Sequence, residues 1–275
     1  MSNFTDFISG GGGSASFPTI FLSKSQTWVP PQDGNIMIHV IGAGGSGSSG
    51  NTASVSGGGA GGYCRKNSLA VTTSGSFTVV VGAGGAQVTG ETAGNNGGNS
   101  TVAGTGLSST LTANGGVGGE AGTGAVSGGT AANGDVNNTG GGSVKGKGGG
   151  AVGITGTGNT GGQTATDMNI YGGDCDVVGD FWSSTLGQLA GGIGGIGISY
   201  NYGTATFSDM RINGGPLAGG GSASQTQTGS GLVTSTTGGH GGIGGGGGGA
   251  RNPTSNTNVR SGRGGEGIVV IQYIP

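Results

Sequence analysis

Residues 238–249 read GGHGGIGGGGGG, and they are followed by SGRGGEG at 261–267 and by the closing stretch IVVIQYIP at 268–275. A stretch in which most residues lack a Cβ atom cannot build a core from side chains. If it is ordered, backbone must pack against backbone, with amides and carbonyls paired between segments. Similar glycine blocks recur from Gly42 onward, and almost everything else in the chain lies between them.

The composition argues against disorder over the whole chain. Of 275 residues, 77 are glycine, only 7% are charged and the net charge is −2. Disordered chains usually combine low hydrophobicity with high net charge, whereas this one contains the apolar runs IMIHVIG, FTVVVG and IVVIQYI. The nine basic residues are scattered, which gives non-specific binding of nucleic acid little electrostatic support.

The apolar segments predict a small β-sandwich. Ile36, Ile38 and Val40 alternate with other residues at the period of a strand, and a sandwich can supply the apolar burial that glycine lacks. The segments assigned to it are 18–41, 63–81, 98–113 and 267–274.

Three local features of this sandwich follow from the sequence. Tyr63–Val71 and Ser76–Val81 flank a turn at 72–75, and we expect them to form a hairpin. Trp28 is expected to pack as a strand residue. His39 is expected to point away from the main core, because it lies between Ile38 and Val40.

The glycine runs predict a second layer of structure. Polyproline II helices have three residues per turn and no internal hydrogen bonds, so helices made almost wholly of glycine can bond laterally into a sheaf, known as polyglycine II. Collagen is excluded, because no strict Gly-X-Y triplet is kept and only six prolines are present. The predicted fold class is all-β/irregular: a small β-sandwich joined to a sheaf of packed polyglycine II helices, with essentially no α-helix.

The first 16 residues differ from the rest. Phe4, Phe7 and Ile8 lie in MSNFTDFI, ahead of the flexible linker SGGGGSAS. An anchor that docks on a larger partner would bury these side chains, and a frayed terminus is the alternative. We therefore expect two units, an anchor with its linker at 1–16 and a glycine-rich domain at 17–275. No signal peptide or membrane span is recognisable, so we expect synthesis and folding in a cytoplasm.

Three stretches together resemble the glycine-rich domain of phage tail-fibre and receptor-binding proteins: TWVPPQDGNIMIHVIGAGGSGSSG, GGGAGGYCRKNSLAVTTSGSFTVVVGAGG and GGEGIVVIQYI. The resemblance covers about residues 26–275, and looser likenesses exist to the glycine-rich region of anaplastic lymphoma kinase and to the tip adhesins of T-even-like phages. It implies a polyglycine II sheaf joined to strands, with variable loops that contact a bacterial receptor. It also implies that residues 1–16 attach the chain to the virion.

The best candidate receptor-binding surface combines aromatic residues near Asp and Asn, a composition suited to stacking on sugar rings. Its members are Tyr171, Phe181, Trp182, Tyr200 and Tyr202. The alternative is that Trp182 and its neighbours form a satellite core under a long loop.

Calcium binding, nucleophilic catalysis and cysteine chemistry have weaker support in the sequence. Asp174, Asp176 and Asp180 alternate as calcium ligands can, but the full calcium-loop pattern is missing. His39 and His240 have no matching nucleophile arrangement, and Cys64 and Cys175 fit no metal or redox spacing, which favours two buried thiols. We expect no cofactor, no metal and no enzymatic activity.

The first functional hypothesis is a phage protein of the tail fibre or tail tip that binds a host receptor, either a polysaccharide or an outer-membrane protein. The second is a purely structural decoration or adaptor of the virion, and the third is an ice-binding protein. Both virion hypotheses place the chain on the particle, assembled in the host cytoplasm, with other virion proteins bound through its N-terminus. Self-association into a homo-oligomer stays open.

Overall fold

The computed structural model describes residues 18–50, 55–121, 124–144, 149–161, 198–202, 213–214, 217, 219–220, 223–227, 236–251 and 259–275. Within these ranges the regular elements are strands, with no helix and hence none that could cross a membrane. The strands are β1 Thr19–Leu22, β2 Gln26–Trp28, β3 Gly34–Ile41, β4 Ser49–Gly50, β5 Tyr63–Val71, β6 Phe77–Val80, β7 Ser100–Gly104, β8 Leu111–Ala113, β9 Ala131–Ala132, β10 Val136–Asn138, β11 Ile198–Tyr202, β12 Ala223–Gln227, β13 Thr236–Thr237, β14 Ala250–Arg251, β15 Val259–Arg260 and β16 Ile268–Ile274.

Two antiparallel sheets form a sandwich. One has the order β1-β16-β3-β5-β10 and the other β2-β6-β7-β8-β9. Alternate residues of β3, Ile36, Ile38 and Val40, are fully buried in the core that the two sheets share. The predicted sandwich is confirmed, and both the first and the last described strands, β1 and β16, belong to it.

The aromatic residues of the second sheet lie inside this core, as predicted for Trp28. Trp28 is 8% exposed, and its ring packs against that of Phe77 with 5.4 Å between the centroids. Phe77 is fully buried, whereas Val80 on the outer face of the same strand is exposed. Truncation of a phenylalanine buried to this extent to alanine lowers the free energy of unfolding by about 3–5 kcal/mol.

The predicted hairpin of β5 and β6 is wrong. The turn between them is present, with the Gly75 amide donating to the Thr72 carbonyl at 2.8 Å. However, β5 pairs with β3 and β10, while β6 pairs with β2 and β7. The turn therefore carries the chain from one sheet to the other. Alternating burial along each strand is the same for a hairpin and for such a crossing, so the local pattern could not distinguish them.

The glycine-rich runs continue outward from the strands and bond laterally at every third residue. In the run 42–48, the amides of residues 42, 45 and 48 donate to carbonyls at 62, 59 and 56. The amides of residues 43 and 46 donate to the carbonyls of residues 98 and 95. The amides of residues 44 and 47 donate to the carbonyls of residues 265 and 262. All seven distances lie between 2.9 and 3.1 Å. A period of three with no bonds inside the run is polyproline II geometry.

The run 42–48 is surrounded on six sides. Besides the three segments that accept its amides, its carbonyls at 43 and 46 accept from Gly116 and Gly119. The carbonyls of residues 45 and 48 accept from the amides of Gly247 and Ala250, and the carbonyl of residue 44 accepts from the amide of Gly85. Six neighbours around one helix is hexagonal packing, so the predicted polyglycine II sheaf is present in the described chain.

Close approach explains the requirement for glycine. A methyl group placed at Gly44 would overlap the Gly245 carbonyl, and one at Gly47 would overlap the Gly248 carbonyl. Both obstacles are backbone atoms, which cannot rotate away. Hydrogen bonds between the runs compensate for the large backbone entropy that glycine loses on folding.

The stretch 238–249 forms parts of two runs that turn back on each other. The turn lies at Ile243–Gly244, where Gly244 has φ 68° and the Gly245 amide donates to the Gly242 carbonyl at 2.8 Å. A Cβ atom at Gly244 would also meet the side chains of Ile41 and Val152. This turn therefore packs against a second apolar cluster, which includes Ile41, Val152 and Leu217.

Candidate functional site

The molecule has two unlike ends, set by the direction of its runs. Runs 42–50 and 114–121 leave the sandwich from β3 and β8, and run 259–267 returns to it at β16. The first described residue, Pro18, accepts a hydrogen bond from the Tyr273 amide at 3.0 Å. The first and the last described residues therefore both lie at the sandwich end. We call the opposite end of the sheaf the tip.

The longer connections between runs begin and end at the tip. Outgoing runs reach it at residues 50, 121, 144 and 251, and incoming runs start from it at 55, 124 and 259. Turns at the sandwich end of the sheaf, such as Ile243–Gly244, are short. Several connections between runs therefore start and end at the tip.

Four parallel strands form a sheet at the tip, in the order β11-β12-β14-β4. Their register sets Ile198 level with Ala223, Ala223 level with Ala250, and Ala250 level with Ser49. All four strands run outward, because β4 continues the outgoing run 42–48. Tyr200 and Tyr202 therefore lie two and four residues beyond the level of Ser49, on the outermost part of this sheet.

The other predicted site residues cannot be compared with this position. Tyr171, Phe181 and Trp182 lie outside the described residues, as do Phe4, Phe7 and Ile8 of the predicted anchor. Asp174, Asp176 and Asp180 also lie outside them. Within the described ranges, His, Cys, Asp and Glu form no group of three or more that could hold a metal ion.

The base of the tip contains buried polar groups that the sequence did not single out. Ser49 is fully buried and Thr236 is 5% exposed, and neither hydroxyl has a hydrogen-bond partner among the described residues. Within the same part of the chain, the Nε atom of Arg251, in the strand beside Ser49, likewise has none. Unpaired buried donors are costly, so this region is held together by the surrounding backbone bonds and not by these side chains.

His39 points away from the main core, as predicted, but the face of β3 on which it lies is buried as well. It is on the opposite face of β3 from Ile38, but it is only 2% exposed there, and its Nδ1 lies 2.7 Å from the Tyr63 hydroxyl. Burial, and then the nearby charge of Arg65, lower the pKa of His39 to about 3. The sheaf covers this face of the sheet, which the strand pattern alone could not show. A neutral imidazole so enclosed is structural and has no access to a substrate.

The remaining candidate groups are also structural. Cys64 is buried and its thiol donates to the Ala132 carbonyl at 3.4 Å, and burial raises the pKa of that thiol to about 11. Cys175 lies outside the described residues. His240 accepts a hydrogen bond at Nδ1 from the Arg263 amide at 2.9 Å, so its ring joins two runs of the sheaf.

The exposed residues of the sheaf recur at every third position of a run, a period that is visible in the sequence. In 114–120, NGGVGGE, the residues Asn114, Val117 and Glu120 recur at every third position and are at least partly exposed. In 260–266, Arg260, Arg263 and Glu266 do the same. Because the helix has three residues per turn, such residues form one outward-facing line while the glycines between them face neighbouring runs.

Comparison with known proteins agrees with this architecture. The family model described as a glycine-rich domain matches residues 19–274, which extends from the first described strand to the last. No curated protein matches the chain.

Proposed function

The chain belongs to the glycine-rich domain family, and from this premise we propose that it is a bacteriophage tail-fibre or tail-tip adhesin that binds a receptor on the host cell. The family alone assigns no biological role. The phage context comes from the resemblance of the strand and glycine motifs to those of receptor-binding proteins, and it includes location on the virion. The proposed role is one of binding, with no catalytic step.

The observation that carries the proposal is the polarity of the molecule. Pro18 and the C-terminal strand β16 are at the sandwich end, and the longer connections between runs start at the tip. A chain attached to a particle through residues before Pro18 would present its tip outward. Recognition commonly resides in the connections that a rigid scaffold positions, and here the connections after residues 50, 121, 144 and 251 start at the outward end.

The sheaf is suited to that task because its order does not depend on the loops. The run 42–48 bonds to six neighbours through its backbone, so substitutions in a connection leave those bonds intact. Tyr200 and Tyr202 belong to the tip sheet, and Tyr171, Phe181 and Trp182 precede them in the sequence. Aromatic residues of this kind suit a polysaccharide or an outer-membrane protein as receptor.

The attachment half of the proposal concerns the first 16 residues. Phe4, Phe7 and Ile8 would dock on another virion protein, and the linker at 9–16 would give the domain freedom to orient. The distance between the two ends allows attachment and recognition to proceed without interfering with each other. Association of several copies on one particle is compatible with this arrangement.

A purely structural role as a virion decoration or adaptor is the competing function. One surface favours it. The outer face of the second sheet contains uncharged residues of similar size, including Thr27, Thr78, Val80, Thr101 and Thr112. Such a flat face could cover another virion protein without any receptor being bound.

Binding of the purified chain to a panel of bacterial strains tests the proposal. We expect the protein to bind some strains and to compete with infection by the phage that carries it, and the double variant Trp182→Ala/Tyr200→Ala to lose both effects. Phe21→Ala is the matched control, because Phe21 is an aromatic residue 43% exposed at the sandwich end. Absence of both binding and competition by the unaltered protein would leave only the structural role.

Removal of residues 1–16 separates attachment from recognition. We expect the shortened chain to keep its thermal unfolding temperature and its binding to cells, because these residues precede the first strand of the sandwich. Incorporation into particles should be lost. Unchanged incorporation would show that the anchor lies elsewhere.

A further inference from the structure

Asparagine is followed by glycine at four places in the sequence, and all four lie among the described residues. They are Asn96 with Gly97, Asn114 with Gly115, Asn133 with Gly134, and Asn213 with Gly214. Asparagine is a chemically labile residue, and a following glycine favours its deamidation because no Cβ atom hinders the approach of the glycine nitrogen. Each pair is therefore a chemically vulnerable position of the chain.

Deamidation at such a pair requires both reacting groups to be free. The glycine nitrogen loses its proton and attacks Cγ of the asparagine. A C–N bond forms, the bond between Cγ and the carboxamide nitrogen breaks, and ammonia leaves with the proton. Water then opens the succinimide ring to aspartate or isoaspartate. A hydrogen bond donated by the glycine amide opposes loss of its proton, and one made by the carboxamide restrains Cγ.

The pair at Asn96 is held by a neighbouring run of the sheaf. The Gly97 amide donates to the Gly116 carbonyl at 2.9 Å. Oδ1 of Asn96 accepts from the Gly118 amide at 2.8 Å. The nucleophile and the group that it would attack are therefore both bonded to the run 114–120.

The pair at Asn213 is held by a single residue of another run. The Gly214 amide donates to the His240 carbonyl at 2.8 Å, and the His240 amide donates to Oδ1 of Asn213 at 2.9 Å. At this pair, as at Asn96, the partners are backbone groups, so no one side chain controls the two reacting groups.

The pair at Asn114 depends instead on the side chain of another asparagine. The Gly115 amide donates to Oδ1 of Asn99 at 2.9 Å. Nδ2 of Asn114 donates to the Thr130 hydroxyl at 2.8 Å. Asn99 is exposed, so replacing its side chain frees the Gly115 amide without leaving a cavity.

The pair at Asn133 follows the same design. The Gly134 amide donates to Oδ1 of Asn137 at 3.0 Å, and Nδ2 of Asn133 donates to the Thr110 carbonyl at 2.8 Å. Asn137 is exposed as well. Two of the four glycine amides are thus each held by one exposed carboxamide.

We propose that the four pairs are latent sites of deamidation, closed in the folded protein by hydrogen bonds on both reacting groups. Asn99 closes the site at Asn114, and Asn137 closes the site at Asn133. Each site reacts when local or global unfolding releases these bonds. The inference goes beyond receptor binding and does not depend on it, since it concerns how long the folded chain stays chemically intact.

Peptide mapping by mass spectrometry, after incubation at mildly alkaline pH, measures deamidation at all four sites in one sample. We expect each site to react at least about tenfold more slowly in the folded chain than in guanidinium, because two bonded groups must be released. Asn99→Ala should raise the rate at Asn114 alone by about threefold or more, and Asn137→Ala the rate at Asn133 alone. Each variant is therefore the control for the other. Asn99→Asp keeps an acceptor oxygen and should keep the rate of the unaltered protein.

Thermal unfolding, recorded for each variant, separates loss of one hydrogen bond from loss of the fold. Equal rates in the folded and the unfolded chain would show that the pairs are open, and the proposal would fail. In a folded Asn99→Ala variant, an unchanged rate at Asn114, or an equal rise at all four sites, would reject the closing role of Asn99. If a variant does not fold, the comparison of the unaltered protein in buffer and in guanidinium still decides whether the sites are closed.

Discussion

The environment of His39 makes the stability of the protein depend on pH. The pKa of this imidazole falls from 6.5 to about 3 in the folded state because burial and Arg65 disfavour its charged form. The unfolded chain binds the proton near pH 6.5, whereas the folded chain binds it only near pH 3. Lowering the pH across this window therefore favours unfolding, at about 1.4 kcal/mol per pH unit.

We expect the free energy of unfolding to fall by about 3 kcal/mol between pH 7 and pH 4 through this residue. The measurement is urea unfolding at both pH values for the unaltered protein and for His39→Gln. Glutamine can still reach a polar partner such as the Tyr63 hydroxyl but does not titrate. Asp135, whose pKa is lowered by its hydrogen bond from Lys66, titrates in both proteins and cancels in the difference. An equal pH dependence of the two proteins would contradict this role of His39.

At the scale of the element, the run 114–120 shows why glycine alternates with other residues. A Cβ atom at Gly116 would overlap the Gly59 carbonyl, and one at Gly118 would overlap the Gly94 carbonyl. Val117, between them, is 39% exposed. One residue in three faces outward and accepts a side chain, and the other two face neighbouring runs.

Single substitutions along this run should reproduce the period of three. We expect Gly116→Ala and Gly118→Ala each to lower the free energy of unfolding by about 4 kcal/mol or more, because a methyl group must displace backbone. Val117→Ala should change it by less than about 0.5 kcal/mol, as is usual at exposed positions. Chemical denaturation measures all three. Tolerance of alanine at 116 and 118 would be incompatible with lateral packing of these runs.

At the scale of the whole molecule, the two parts bury different kinds of surface. The sandwich buries apolar side chains such as Ile38 and Phe77, while the sheaf buries peptide groups around the run 42–48. Exposure of apolar surface raises the heat capacity on unfolding, and exposure of polar surface lowers it. The sheaf should therefore reduce the heat-capacity change of the entire chain.

We expect a heat-capacity change well below the value of about 3–4 kcal/mol/K that is usual for 275 residues. Scanning calorimetry at several pH values provides it, as the slope of the unfolding enthalpy against the melting temperature. A value in the usual range would mean that apolar burial dominates and that the sheaf contributes little to the cooperative unit.

Local sequence accounts for much of the fold. The alternation of Ile36, Ile38 and Val40 located a core strand, and the glycine runs predicted lateral backbone packing, both of which the structure confirms. The outward line of Asn114, Val117 and Glu120 was equally present in NGGVGGE, since it depends only on a period of three. The placement of Tyr200 beside Gln225 was not accessible, because strand register between distant segments leaves no local pattern.

The pairing of an apolar sandwich with a glycine sheaf is encoded locally, because the hydrophobic period and the absence of Cβ atoms act on neighbouring residues along the chain. Contacts between distant segments place β5 and β6 in different sheets, enclose His39, and surround the run 42–48 with six particular runs. Glycine backbones are chemically alike, so their hydrogen bonds do not specify partners. The choice among runs follows instead from where the strands of the sandwich direct them.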